Sequence, residues 1–414
     1  MMGVNAVARL KNTELGPLPE DWAVCSMAAL CTQITVGIVI RPAQYYVDDG
    51  VPTLRSANIR EGGIDRSAMA YITAETNRHL DKSQVHEGDV LTVRTGYPGT
   101  SAVVPPELEG SNSVDILISR PSYKVVSEYL AAWLNSSQGK AQVQKLQGGL
   151  AQQHFNVGKL RSLLVACPSL PEQRAISSAL SDIDSLVDYL DVLIAQKRAI
   201  RIGVMQRLVT GRTRLEGFEQ KWLLRSIGDL LTHERPDDYL AKDNVIREKG
   251  EYPVLTANQS FVLGYSDSED GVCRDFPVIV FDDFTTECKY VDFPFKVRSS
   301  AIKILKPRSP EVNLGFVFER MQLVKFPVGN HKRYYISEYR HLSVPVPEFD
   351  EQGAIYRVLR EFDAEISALE RTRDKAYAVR RGMMQSLLTG HARLIDPVAA
   401  QTISTTPSEA GTDT

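Results

Sequence analysis

Residues 172–215 read EQRAISSALSDIDSLVDYLDVLIAQKRAIRIGVMQRLVTGRTRL, and residues 351–394 read EQGAIYRVLREFDAEISALERTRDKAYAVRRGMMQSLLTGHARL. The offset is 179 with no gap, and 17 of the 44 positions are identical. The identities include Glu172/Glu351, Gln173/Gln352, Met205/Met384, Gln206/Gln385 and the pairs Thr210-Gly211 and Thr389-Gly390. A duplication of this length sets the architecture before any single element does. The stretches upstream repeat more weakly. Trp22 stands in LPEDWAVCSMAAL and Trp222 in FEQKWLLRSIGDL, and VPTLRSAN (51–58) answers YPVLTAN (252–258) with one residue slipped. The order is globular half, helix, globular half, helix.

Both copies read as long helices. Ile176, Leu180, Ile183, Val187, Leu190 and Ile194 alternate spacings of four and three, the seam of a coiled coil. Ile355, Leu359, Phe362, Ile366 and Leu369 repeat those offsets. Ser169-x-x-Glu172 fits a capping box, and Gly211 and Gly390 fit helix-stopping glycines. Charge decides the pairing. Residues 172–191 carry five acids and one base, and residues 192–215 carry six bases and no acid. Residues 351–370 carry five acids and two bases, and residues 371–394 six bases and one acid. A parallel pair would set like charge beside like, so an antiparallel pair is expected. That arrangement gives approximate two-fold symmetry within one chain. The alternative is two separate amphipathic helices, each packed on its own globular half.

The expected organisation is a globular domain over 15–167, a helical spacer over 168–215, a second globular domain over 216–347, a second helical spacer over 348–395 and a disordered tail over 396–414. At 414 residues the chain has room for two to four such units. Strand-like runs include Asp89–Arg94, Ala102–Val104, Pro277–Phe281 and Ala301–Leu305; helical runs include Glu128–Asn135 and Leu314–Leu323. No regular alternation of strand and helix is present, so the class is α+β. Forty-eight basic against fifty-one acidic residues give a net charge of −3, which excludes a uniformly basic nucleic-acid coat. No apolar run approaches a membrane span, and the first residues lack the apolar stretch of a signal peptide. Five dispersed cysteines without a paired motif fit a reduced, cytoplasmic protein without a zinc site.

No catalytic constellation emerges. There is no phosphate-binding loop, dinucleotide fingerprint, nucleophile elbow or zinc-protease helix. The seven histidines show no metal spacing. Asp282-Asp283 followed by Glu287-Cys288-Lys289 resembles the acidic and Glu-x-Lys parts of a metal-dependent nuclease; the plainer reading is a polar turn between strands. Polar clusters recur at matching places instead. Arg55, Ser56 and Asn58 share a turn answered by Asn258 and Gln259. Arg94 and Tyr97 flank a glycine turn. Gln152, Gln153, His154 and Asn156 are answered by His331, Lys332, Arg333 and Tyr334. Such side chains pair with bases or hold phosphates, and together with Lys289 they are the candidate DNA contacts.

Leu18-Pro19-x-x-Trp22, Gly88–Gly96, Gly148–Gln153 and Pro168-Ser-Leu-Pro-Glu-Gln-Arg174 resemble the target-recognition domain and helix start of type I restriction–modification specificity subunits. Tyr252–Asn258, Val278–Asp283 and Val291–Phe295 read the same way in the second half. The resemblance covers about residues 15–395. It implies two α+β target-recognition domains separated by an antiparallel helical pair. It also implies that the chain selects double-stranded DNA and does no chemistry, each domain reading one half of a bipartite target while the helices set the gap. Two methyltransferase subunits would bring S-adenosylmethionine and methylate adenine, motor–nuclease subunits would join for restriction, and this chain would hold no cofactor or metal. Two rival readings remain: a two-ended coiled-coil scaffold for proteins, and a nuclease using Asp282 or Asp283, Glu287 and Lys289.

Overall fold

The computed structural model describes residues 9–147, 155–241, 246–256, 261–327 and 332–395. The expected tail at 396–414 lies outside them, as do Gln152, Gln153, His154, Asn258, Gln259 and His331. The chain forms two compact units, one made of residues up to Leu190 with those from Thr372 onward, the other of Asp191–Arg371. The class is α+β.

The first unit holds a four-stranded antiparallel sheet in the order Ser101–Val103, Val90–Val93, Ile116–Pro121, Cys31–Val36. Beside it is a mixed sheet in which Val51–Arg55 pairs parallel with Asn112–Val114 and antiparallel with Ala70–Ile72. The second unit repeats this with Cys288–Val291, Val278–Asp282, Ile302–Pro307 and Leu231–Glu234. There Tyr252–Leu255 lies parallel to Lys296–Val297 and antiparallel to Val262–Ser266. The central strands are buried on both faces, so they read as continuous apolar runs rather than alternating ones. A helix packs on each four-stranded sheet, Ser127–Asn135 in one unit and Leu314–Gln322 in the other.

An outer two-stranded ribbon leads into each long helix. Ala23–Ser26 pairs with Leu164–Cys167, and Leu223–Ser226 with Ser343–Val346. The helices follow at once, over Leu170–Leu208 and Phe349–Leu388. None is apolar enough over its length to cross a membrane. Within each unit their segments run antiparallel. Arg201 donates to Asp363 at 2.8 and 3.1 Å and Lys197 lies 2.7 Å from Glu365 in the second unit. In the first unit Arg380 pairs with Asp184. These two Arg–Asp pairs are repeat equivalents, each set between an acidic half and a basic half. Ile176, Leu180, Val187, Leu190, Ile194, Ile355, Leu359 and Ile366 are buried, whereas Ile183, Phe362 and Leu369 are half-buried. The seam is not purely helix on helix: Ile176 and Leu180 join the core of the first unit with Leu387 and Leu388, and Ile355 and Leu359 join that of the second with Met205 and Leu208. Each helix starts directly from a domain strand, so its first turns must cover that domain.

Glu172 does not serve in a capping box. Its carboxylate is buried, accepting from Trp22 Nε1 at 3.2 Å and from Arg393 Nη2 at 2.8 Å. Arg393 also donates to Asp21 at 3.1 and 2.8 Å and lies over the Trp22 ring. Burial alone would raise the Asp21 carboxyl, but the Arg393 guanidinium holds it below its usual value. The second unit builds the same latch from Glu351, which accepts from Trp222 Nε1 at 3.0 Å and Arg214 Nη2 at 2.7 Å. Each latch thus joins the start of one helix to the residues just after the other. The adjacent glutamines are equally matched. Gln173 accepts from Val126 N and donates to Pro168 O, and Gln352 accepts from Asn313 N and donates to Pro347 O, all at 2.9 Å.

Gly211 and Gly390 end the helices in the left-handed region, at φ 72° and 73°. A Cβ on Gly211 would meet the Trp222 ring at 3.5 Å, an ordinary contact, whereas one on Gly390 would lie 2.4 Å from Pro19 Cγ. Gly211→Ala is therefore expected to cost about 1–2 kcal/mol, the conformational term alone. Gly390→Ala should cost about 1–3 kcal/mol more through overpacking. Urea unfolding of the two variants checks this, and equal losses would contradict the placement of Pro19.

Candidate nucleic-acid interface

In the first unit two of the sequence-selected turns meet. The strand Val90–Val93 ends in the Arg94–Gly99 turn, where Gly96 and Gly99 take positive φ and Gly99 N closes onto Val93 O at 2.9 Å. Val51–Arg55 ends in the Ser56–Asn58 turn. Asp115, itself at φ 54°, joins them. Its carboxylate accepts from Thr95 Oγ1 at 3.1 Å and lies 3.2 Å from Arg94 Nη1, and its carbonyl accepts from Ser56 Oγ at 3.5 Å. An open cleft of about 820 Å³ runs between the turns, lined by Ser56, Arg60, Thr95, Tyr97 and Lys140 among others. Tyr97 is 85% exposed at its edge. An exposed phenol beside cations on glycine-supported turns can stack on or hydrogen-bond a base while the cations hold phosphates.

Several candidates are engaged elsewhere. Asn58 is 2% exposed, with its Oδ1 taken by Arg55 N and its Nδ2 by Asp65 O and Ala68 O. Reading it as a base contact is corrected: it braces its own turn, as short amides do. Arg55 donates to Ala68 O at 2.8 Å. Asn156 caps the helix Val157–Ser162 through Lys159 N. Arg94 is mostly covered by its ion pair.

In the second unit Lys289, Lys332 and Arg333 are exposed. Lys332 pairs with Glu338, and Arg333 lies over the Phe284 ring. Tyr334 is a second correction. It is buried edge-on against Phe326 at 5.2 Å, where its large apolar ring adds to the packing. Asp283 clamps this segment, accepting from Tyr334 N on its carbonyl and from Tyr335 N on its carboxylate, and it pairs with buried Lys303. Asp282 closes a turn by accepting from Phe284 N and Thr285 N. The nuclease-like acids thus form the polar turn between Val278–Asp282 and Cys288–Val291. Glu287 and Lys289 share a small hollow with Asp282. Among the described residues no group of three or more His, Cys, Asp or Glu is placed to hold a metal ion.

Comparison with known proteins agrees with this architecture. Residues 19–196 match the family described as type I restriction modification DNA specificity domain. The type I restriction enzyme EcoR124I/EcoR124II specificity subunit of Escherichia coli is 35% identical over 191 residues, 42% of this chain and 47% of its own length. The match thus spans about half of that relative. The putative type I restriction enzyme MjaX specificity subunit of Methanocaldococcus jannaschii is 22% identical over 426 residues, covering 93% of this chain and 96% of its own. The solved type I restriction–modification S subunit from M. genitalium shares the fold, with a TM-score of 0.57 at 14% identity over 88% of this chain and 96% of that one. With its duplicated α+β units and paired long helices, the chain is similar to type I restriction–modification specificity subunits, and its residues 19–196 match their DNA specificity domain.

Proposed function

We propose that this chain selects DNA for a type I restriction–modification complex and performs no chemistry itself. Each unit reads one half of a bipartite duplex target, and the helical pair sets the unread gap. Two methyltransferase subunits bring S-adenosylmethionine and methylate adenine, motor–nuclease subunits join for restriction, and the assembly works in the cytoplasm. The observation that carries this reading is the match of residues 19–196 to a DNA specificity domain whose element order recurs in the second unit. The commitment of Asp282 and Asp283 to turn and segment contacts weighs against the nuclease. A net charge of −3 means that partners supply many of the phosphate contacts, so binding by the complex falls steeply with salt.

Methylation mapping of a host expressing this chain with a partner methyltransferase tests the proposal. The expected result is a motif of two short specified blocks. Replacing Gln152, Gln153 and His154 together alters one block and leaves the other unchanged. A host with no sequence-specific adenine methylation, or a purified complex with no preference among duplexes, would favour the scaffold.

A further inference from the structure

The two units differ sharply at one place. In the first, Leu30-Cys-Thr32 leads to Arg41-Pro-Ala-Gln-Tyr45; in the second, Leu230-Leu-Thr232 leads to Arg235-Pro-Asp-Asp-Tyr239. Both Arg-Pro-x-x-Tyr segments form a short 3-10 turn, Pro42–Tyr45 and Pro236–Tyr239. Thr32 and Arg41 are nine positions apart, Thr232 and Arg235 three, so the first unit carries six additional residues. They extend the strand Cys31–Val36 and then project as the loop Gly37–Arg41.

This loop is firmly anchored and yet unfavourable in isolation. A Cβ on Gly37 would lie 2.5 Å from Ser113 O, so only glycine permits the close approach. Ile38 is buried, donates to Ser113 O at 2.8 Å and accepts from Asp115 N at 3.1 Å. Beyond it Val39 is 48% exposed and Ile40 72%. Arg41 is exposed and takes φ 44°, ψ 54°, a left-handed conformation uncommon outside glycine. Its counterpart Arg235 is extended at φ −76°, ψ 146°. Two apolar side chains held in water beside a strained arginine are a local conflict of the kind found at binding sites. The anchor is Asp115, the residue that also holds Ser56, Arg94 and Thr95. The loop and both turns of the candidate interface therefore project from one point.

We propose that Val39-Ile40-Arg41 is a base-reading finger of the first unit, with Ile40 lying against a thymine methyl group in the duplex major groove and Arg41 on a neighbouring phosphate. Apolar side chains recognise the thymine methyl, the one apolar feature of that groove, and arginine holds phosphate. The proposal rests on the reading that this unit binds DNA. It adds that the short connection from Thr232 to Arg235 carries no such finger, so the two half-sites are read differently at this place.

The test uses the complex assembled with its methyltransferase partner. Once the wild-type motif is mapped, binding is measured to duplexes carrying deoxyuridine in place of thymidine, one position at a time. At one thymine of one half-site the wild type should lose several-fold in affinity, and Ile40→Ala should bind the two duplexes equally. Ile40→Ala should lose about 10-fold against the wild-type duplex, with the other half-site and the thermal midpoint unchanged. Arg41→Gly should weaken binding to all duplexes alike, because a phosphate contact carries no sequence information. Ile40→Ala that still discriminates thymidine from deoxyuridine at every position would overturn the finger alone. A wild-type complex that methylates no two-block motif would overturn the finger together with the reading on which it rests.

Discussion

Glu172→Ala should destabilise the first unit by about 3–5 kcal/mol, the range for breaking a buried ion pair by removing one partner. Glu172 is 1% exposed and is the shared acceptor of Trp22 Nε1 and Arg393. Its loss strands an indole N–H and leaves Arg393 with Asp21 alone. Glu351→Ala should act in the same way on the second unit by releasing Trp222 and Arg214. The chain has three tryptophans, and two of them are latch residues, so urea unfolding followed by indole fluorescence reports each latch. The pair Glu172→Ala and Arg393→Ala should be strongly non-additive, the second substitution costing little once the first is made. A loss below about 1 kcal/mol for Glu172→Ala would show that the pair behaves as an exposed one.

Inserting four residues into both long helices, between Leu190 and Asp191 and between Arg371 and Thr372, is expected to lengthen the unread gap without changing either half-site. These are the points at which the chain passes from one unit to the other. Four residues advance a helix by about 6 Å and turn it by about 40°. One base pair advances duplex DNA by about 3.4 Å and turns it by about 34–36°. One to two added base pairs therefore match both motions. The helix ends are unsuitable for insertion, because Val209 is buried and Arg214 holds the second latch. Methylation mapping of an active variant is the readout: native sites should be lost and longer ones gained. An unchanged gap would refute the ruler.

The duplication, the seam and the acid-first charge order were legible because each is a periodic or summed property of the chain. They led to the antiparallel pairing that Arg201–Asp363 and Arg380–Asp184 make visible within the units. The strands around Val90 and Val278 were legible for the same reason, as apolar runs between turn residues. The latches were not. Glu172 and Arg393 stood among repeated identities, but they lie 221 positions apart, and repetition does not say which residue meets which. Local competition hid other roles. Asn58 looked available because its amide is polar, whereas the folded turn turns that amide inward. Ile40 went unnoticed because a run of Ile and Val reads equally well as core.

The latches and the helix ion pairs share one pattern. Glu172 meets Arg393 and Glu351 meets Arg214, Asp184 meets Arg380 and Asp363 meets Arg201. Residue i of one copy contacts residue j of the other, and j contacts i, the rule of an isologous homodimer. Here both copies belong to one polypeptide, so the partner is always present at high effective concentration. Closure does not weaken on dilution, as it would for two separate chains. The covalent link also removes an obligation that identical subunits cannot escape. Two identical readers are bound to a palindrome, whereas linked copies can keep their shared contacts and differ elsewhere, as the six-residue difference between Thr32–Arg41 and Thr232–Arg235 shows.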